Sequence, residues 1–189
     1  MTRVNASRFL LWIHLSLAGA LPAWAEAPLT SPYRVEQLGS EIRGLSTKEI
    51  DDLREGRGMG LARAAELNGY PGPRHLLDAV KAGHLHLSRE QLEKVQGLFE
   101  TMSAEAKRLG STILKEEQEI EAAFRTGTVS EPDLRARVEA LAALYGRLRI
   151  VHLRTHLETR ALLTEHQIQR YNQLRGYSMS EGGQGQHQH

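Results

Sequence analysis

The chain has 189 residues, enough for one domain of ordinary size. Its 24 basic and 23 acidic residues nearly cancel, which argues against binding to nucleic acid or to an anionic membrane through overall charge. The chain has no cysteine, which excludes disulfide bonds, a thiol nucleophile and thiolate metal ligands.

The first segment, residues 1–25, has the pattern of a secretory signal peptide. Arg3 and Arg8 form a positively charged start. The mostly apolar stretch that follows, residues 9–21, is shorter than the about 20 residues that a membrane-spanning helix needs. Residues 23–25 (Ala-Trp-Ala) fit the small-residue pattern of a cleavage site. We therefore expect export to a bacterial periplasm and no stable membrane insertion after cleavage, the alternative being a retained anchor.

Residues 26–83 form a predicted N-terminal helical extension. Ser46 and Glu49 have the spacing of a capping box, which predicts a helix from Ser46 to Leu67 with glycine interruptions. One of these interruptions, residues 56–60 (Gly-Arg-Gly-Met-Gly), invites comparison with a phosphate-binding loop. No apolar strand precedes it and no Lys-Ser/Thr pair follows it, so we interpret it as a backbone bend or a site of close helix packing.

A turn and a short helix complete the extension. Residues 68–73 (Asn-Gly-Tyr-Pro-Gly-Pro) have the composition of a turn. Pro73 then favours the start of a short helix, expected from His75 to about Ala82, which Gly83 ends. The sequence assigns no function to residues 56–73.

Residues 84–177 are predicted to contain two long helices and a shorter last one. We expect these helices from Ser88 to about Arg125, from about Ser130 to Leu162 and from Thr164 to about Arg175. Apolar residues spaced alternately by three and four predict that the two long helices pack along a heptad seam. The seam residues are Leu92, Val95, Phe99, Met102, Ala106, Leu109, Ile113, Ile120 and Ala123 in the first helix, and Leu134, Val138, Leu141, Tyr145 and Leu148 in the second.

The short connection between the two long helices predicts that they run antiparallel. No strand pattern occurs, so the predicted fold class is all-α: a long antiparallel helical hairpin with short flanking helices. Residues 178–189, which are rich in Gly, Gln and His, are predicted to be a disordered tail. Its His187 and His189 could bind metal weakly.

Two histidines on the second hairpin helix are candidate metal ligands. His152 and His156 are four residues apart, which places both imidazoles on one face of the helix, as a zinc, nickel or copper site requires. In an antiparallel hairpin Glu105 lies roughly opposite His152 and could be a third ligand. The alternative is a pair of solvated or packed histidines, since the nearby cations Arg149 and Arg154 disfavour a bound metal.

The same helix carries an apolar surface with basic residues at its edges, among them Arg147, Arg149 and Arg154. Because a two-helix hairpin cannot bury apolar residues on two sides by itself, this surface predicts dimerisation or the binding of client proteins. The alternative is that the N-terminal helices cover it. No nucleophile and base stand together in the sequence, and most Ser and Thr residues occupy helix caps, so we expect no enzymatic activity.

Two short motifs resemble those of a known family. Leu87-Ser88-x-x-Gln91 and Leu163-Thr164-x-x-Gln167 are similar to the paired LTxxQ motifs of the Spy/CpxP family of periplasmic proteins. The first motif has Ser in place of Thr, which keeps the capping hydroxyl. The resemblance covers about residues 85–177.

The resemblance implies a cradle-like homodimer that holds unfolded or misfolded envelope proteins under stress, without ATP or another cofactor. It also implies an alternative. Related heavy-metal-resistance proteins of the CnrX and ZraP types share the hairpin, and the CnrX type carries two metal ligands four residues apart on a helix. His152 and His156 match that spacing, so a periplasmic sensor of a divalent transition metal is the second hypothesis.

Overall fold

The computed structural model describes residues 38–177, which fold into six α-helices. In chain order they are α1 (Thr47–Arg54), α2 (Arg63–Glu66), α3 (Pro73–Lys81), α4 (Arg89–Thr126), α5 (Glu131–Ala161) and α6 (Glu165–Arg175). These residues contain no strand, so the predicted all-α fold class is confirmed. None of these helices is long and apolar enough to cross a membrane. The predicted signal peptide and the predicted tail lie outside the described residues.

The two long helices α4 and α5 form the predicted antiparallel hairpin. They contain 38 and 31 residues, which corresponds to about 57 Å and about 46 Å of helix. Ser88 caps the start of α4, and Gly127 ends that helix with a left-handed φ of 69°. Ser130 caps α5 by accepting a hydrogen bond from the backbone N–H of Asp133. Local capping chemistry therefore fixes the ends of both helices close to their predicted positions.

The N-terminal segment, residues 38–82, differs from its prediction. The helix expected from Ser46 to Leu67 with glycine interruptions is two helices, because α1 ends at Arg54 and α2 is a separate helix of 4 residues. Three left-handed residues separate the two helices: Gly56 (φ 63°), Met59 (φ 47°) and Gly60 (φ 75°). A right-handed helix cannot continue through such residues. The glycine motif thus forms the bend that was predicted for it.

The N-terminal segment packs on the hairpin at very short range. A Cβ atom at Gly110 of α4 would lie 2.0 Å from the carbonyl oxygen of Leu53 in α1, so only glycine permits this approach. In addition, α3 packs against α4 and α2 packs against α5. The N-terminal helices therefore cover part of the hairpin, as one of the two sequence-based alternatives predicted.

Two apolar clusters join these elements. The first comprises Ile42, Leu45, Ile50 and Leu53 of the N-terminal segment, Ala106, Leu109, Ile113 and Leu114 of α4, and Leu141, Leu148 and Val151 of α5. The second comprises Leu76, Leu85, Val95 and Tyr171. The predicted seam is less continuous than expected, since Leu92 and Val138 are 37% and 50% exposed. The first core cluster lies at the middle of the hairpin, where residues of the N-terminal segment complete it.

Candidate functional site

The two LTxxQ-like motifs form helix caps at one end of the molecule. The Oγ of Ser88 accepts a hydrogen bond from the backbone N–H of Gln91 (3.1 Å), and the backbone N–H of Ser88 donates to Gln91 Oε1 (2.9 Å). Thr164 and Gln167 repeat this arrangement at the start of α6, with distances of 3.3 and 2.9 Å. Both motifs are therefore complete capping boxes, as their residue types predict.

The glutamines of the two motifs also bind each other. Gln91 Nε2 donates to Gln167 Oε1 and Gln167 Nε2 donates to Gln91 Oε1, both at 3.0 Å. Each Nε2 makes a second hydrogen bond, Gln91 to the carbonyl of Leu162 (2.7 Å) and Gln167 to the carbonyl of His86 (3.0 Å). We call this arrangement the glutamine pair. It joins the first turn of α4 to the first turn of α6.

The leucines of the motifs anchor this junction. Leu87 and Leu163 are half-buried and pack against the second apolar cluster, which includes the fully buried Tyr171. All six motif residues thus serve to hold helix starts together. The sequence predicted two separate caps but not the contact between them. The only sign of that contact in the sequence was that both motifs have a glutamine at the same position.

The two candidate metal-binding histidines are buried beneath the N-terminal segment. His152 and His156 are 4% and 8% exposed. His156 Nδ1 donates a hydrogen bond to the carbonyl oxygen of Tyr70 (2.7 Å). Its ring also packs on Gly72, where a Cβ atom would approach it to 2.9 Å. Both histidines are therefore packed against the N-terminal segment and not solvated.

His152 differs from His156 in having a buried nitrogen without a partner. Its Nε2 makes no hydrogen bond with any residue in the described part of the chain. Burial, and to a smaller extent the neighbouring His156, lowers the pKa of His152 below its usual value. The ring lies beside Gly58, whose Cβ position would be 3.9 Å from Nδ1 and Cε1.

The structure does not bring Glu105 together with His152 and His156 as a group of three potential metal ligands. The carboxylate of Glu105 pairs with Arg154 at 3.1 Å. Within residues 38–177, no group of three or more His, Cys, Asp or Glu side chains is placed to hold a metal ion.

The three predicted basic residues of the client-binding surface fall into two groups. Arg147 and Arg149 are exposed and make no ion pair with the residues that the structure describes. Arg154 pairs with Glu105 and more distantly, at 3.9 Å, with Glu158. Arg147 and Arg149 can therefore form ion pairs with a bound protein, whereas Arg154 is already paired with carboxylates of its own chain.

An apolar surface remains open on the hairpin. Ala136, Ala143, Ile150 and Leu157 recur every seven residues along α5 and are all exposed; we call them the outer face of α5. Ile150 and Leu157 are 60% and 58% exposed. A groove of about 520 Å³ also runs between α4 and α5, with Leu98, Met102 and Leu162 in its lining and Lys94 and Arg154 as its cations. No described residue of the N-terminal segment lines this groove.

Comparisons with protein-family models, with curated proteins and with solved structures gave no significant match. The resemblance carried by the two LTxxQ-like motifs therefore stays a prediction, and so does every function drawn from it.

Proposed function

We propose that this protein is a periplasmic chaperone that binds unfolded or misfolded envelope proteins without ATP and acts as a homodimer. The observation that carries the proposal is the apolar surface that the N-terminal segment leaves open. This surface combines the groove between α4 and α5 with the outer face of α5. The signal-peptide pattern and the two LTxxQ-like motifs add support from the sequence.

The surface has the properties that reversible binding of unfolded chains requires. Burying one exposed aliphatic side chain stabilises a complex by about 1.5–3 kcal/mol, so a few such contacts hold a client without trapping it. Arg147 and Arg149 carry charges with no ion pair in the described residues, and they can attract acidic segments over longer distances. Neither kind of contact needs a defined partner sequence, which suits a protein with many clients.

The test is suppression of aggregation. A disulfide-bonded test protein is unfolded by a reductant, and light scattering is followed with and without equimolar chaperone in the absence of nucleotide. The reductant leaves this chain unaltered because it contains no cysteine. We expect scattering to be strongly reduced, and unchanged scattering would refute the proposed function.

A pair of variants locates the binding surface. The double substitution Ile150→Gln and Leu157→Gln removes the largest side chains of the outer face and should lower protection severalfold. Phe124→Gln is the matched control, because Phe124 is 57% exposed but lies at the far end of α4. Equal loss of protection in both variants would mean that general surface hydrophobicity, and not this face, binds the client.

The metal-sensor hypothesis stays a prediction. His152 and His156 are adjacent and Tyr70 fixes the Nδ1 proton of His156, but the described residues supply no third ligand. Titration calorimetry with zinc, nickel and copper tests it on the wild type and on His152→Ala/His156→Ala. Both chains should end at Tyr177 to remove the tail histidines. A binding heat that the wild type gives and the double variant does not give would favour a metal site at these histidines. Equal binding heats in the two proteins would reject the pair as ligands.

A further inference from the structure

A second open space lies on the other side of Met102, between the N-terminal segment and the hairpin. This cavity has a volume of about 970 Å³, which is at the upper end of the range for small-molecule sites. Its walls include the glycine-rich loop (residues 55–62), the buried histidines of α5, and Phe99 and Met102 of α4. It is separate from the groove assigned above to client proteins, although Met102 lines both.

The charged side chains around the cavity are mostly cationic. They are Arg57, Arg63, Arg74, Lys107, Glu55 and Glu66. Three of the cations have carboxylate partners: Arg57 pairs with Asp52, Arg74 with Asp78, and Lys107 with Glu55. Arg63 has none among residues 38–177. Since Glu66 is occupied by Arg175 at 3.0 Å, an unbalanced positive charge remains at Arg63.

Arg63 lies next to unused backbone donors. Its Nη2 is 3.1 Å from the position that a Cβ atom would take at Gly60. In the described residues, the backbone N–H groups of Gly58, Met59 and Gly60 donate to no backbone acceptor. Met59 holds a left-handed φ of 47°, a conformation that is uncommon outside glycine. Consecutive N–H groups in such a turn can form a concave site for an anion.

His152 closes the site from the hairpin side. This side chain is only 4% exposed, lines the cavity and lies beside Gly58. The ring edge next to Gly58 carries Nδ1, which lies 3.9 Å from the Cβ position of that glycine, so a ligand in the cavity can form a hydrogen bond with Nδ1.

We propose that this cavity binds a small organic molecule that carries a phosphate or carboxylate group. The anionic group is held by the Arg63 guanidinium and the free N–H groups of Gly58, Met59 and Gly60, with His152 completing the polar wall. The apolar part of the ligand packs on Phe99 and Met102. The proposal is independent of chaperone activity, since it uses a different surface.

The experiment follows the backbone amides of the purified protein by two-dimensional ¹H–¹⁵N NMR, with EDTA present to exclude metal binding. Phenyl phosphate and benzoate are the two anionic probes, and benzyl alcohol is the uncharged control. We expect saturable shifts at Gly58, Met59 and Gly60 with at least one anion, and binding of benzyl alcohol that is weaker by about tenfold or more. The tighter anion identifies the ligand class.

Substitutions assign the binding to the cavity. Arg63→Gln should weaken anion binding by about tenfold and Arg63→Glu should abolish it. Arg108→Gln is the matched control, because Arg108 is exposed on α4 and does not line the cavity. The proposal is overturned if neither anion gives saturable shifts up to about 10 mM. It is also overturned if the Arg63→Gln and Arg108→Gln variants lose affinity equally.

Discussion

Gln91 and Gln167 use every hydrogen-bonding position of their side-chain amides. Each Oε1 accepts from its own cap residue and from the other glutamine, and each Nε2 donates to the other glutamine and to a backbone carbonyl. Such a fully satisfied arrangement tolerates no change of donor into acceptor, because the surrounding groups are fixed by the helix starts. Glutamine is therefore required here for its donors as well as for its capping oxygen.

Gln91→Glu should destabilise the fold by about 3 kcal/mol, since a carboxylate oxygen would face the carbonyl of Leu162 and the Oε1 of Gln167. Chemical denaturation followed by circular dichroism measures this loss. Gln169→Glu is the matched control, because Gln169 is exposed on α6. Equal losses in the two variants would show that the glutamine pair does not stabilise the molecule.

His152 should make stability depend on pH. Its pKa is lowered in the folded state, chiefly by burial, so at mildly acidic pH the unfolded chain binds a proton that the folded chain does not. The free energy of unfolding is therefore highest above the ordinary histidine pKa and should fall between about pH 7 and about pH 5. The variant His152→Gln should reduce this slope to the part due to His75, whose pKa burial also lowers, whereas His166→Gln, which alters an exposed histidine, should keep it. Parallel slopes in the wild type and His152→Gln would contradict the assignment.

At the scale of elements, the contact of α1 with α4 depends on one glycine. Gly110→Ala should destabilise the fold by about 2 kcal/mol or more, because the new methyl group would overlap the carbonyl of Leu53 and force the helices apart. Gly97→Ala on the same helix meets nothing within 4 Å and should stabilise the fold by up to about 1 kcal/mol through helix propensity. Thermal unfolding distinguishes these opposite signs, and stabilisation by both changes would exclude the close contact.

The ends of the helices were predictable because their causes are local. Ser88, Thr164 and Gly127 carry capping information within one turn of the chain, and the structure places helix ends beside all three. The contact of Gly110 with α1 and the glutamine pair depend on which distant elements meet, which no local pattern encodes. The pairing of Glu105 with Arg154 was unpredictable for the same reason, since the register of the hairpin decides which side chains meet.

At the scale of the whole molecule, the N-terminal segment decides which surfaces stay open. Arg160 of α5 stacks over the ring of Tyr70 at 4.9 Å, and Tyr171 and Arg175 of α6 both bind Glu66 of α2. These contacts fix the segment against the histidine-bearing side of α5. Client binding and dimerisation are therefore both expected on surfaces that include the outer face of α5.

The purified protein should sediment as a dimer and should enhance the fluorescence of the apolar dye ANS in its native state. The physical reason is the exposed Ile150 and Leu157, which water solvates unfavourably. Sedimentation velocity over a range of concentrations and dye titration measure the two properties. A strictly monomeric protein without dye binding would contradict the proposed function as well as the proposed assembly.

The glutamine pair also bears on the order in which the molecule can be completed. Its two members are 76 residues apart, so a chain that emerges from its N-terminus has made both long helices before the second glutamine arrives. Until then Gln91 lacks both of its hydrogen bonds to Gln167 and, outside its own capping box, can make only the one to the carbonyl of Leu162. We therefore expect the start of α4 to become rigid only when α6, the last helix to be made, docks and supplies Gln167.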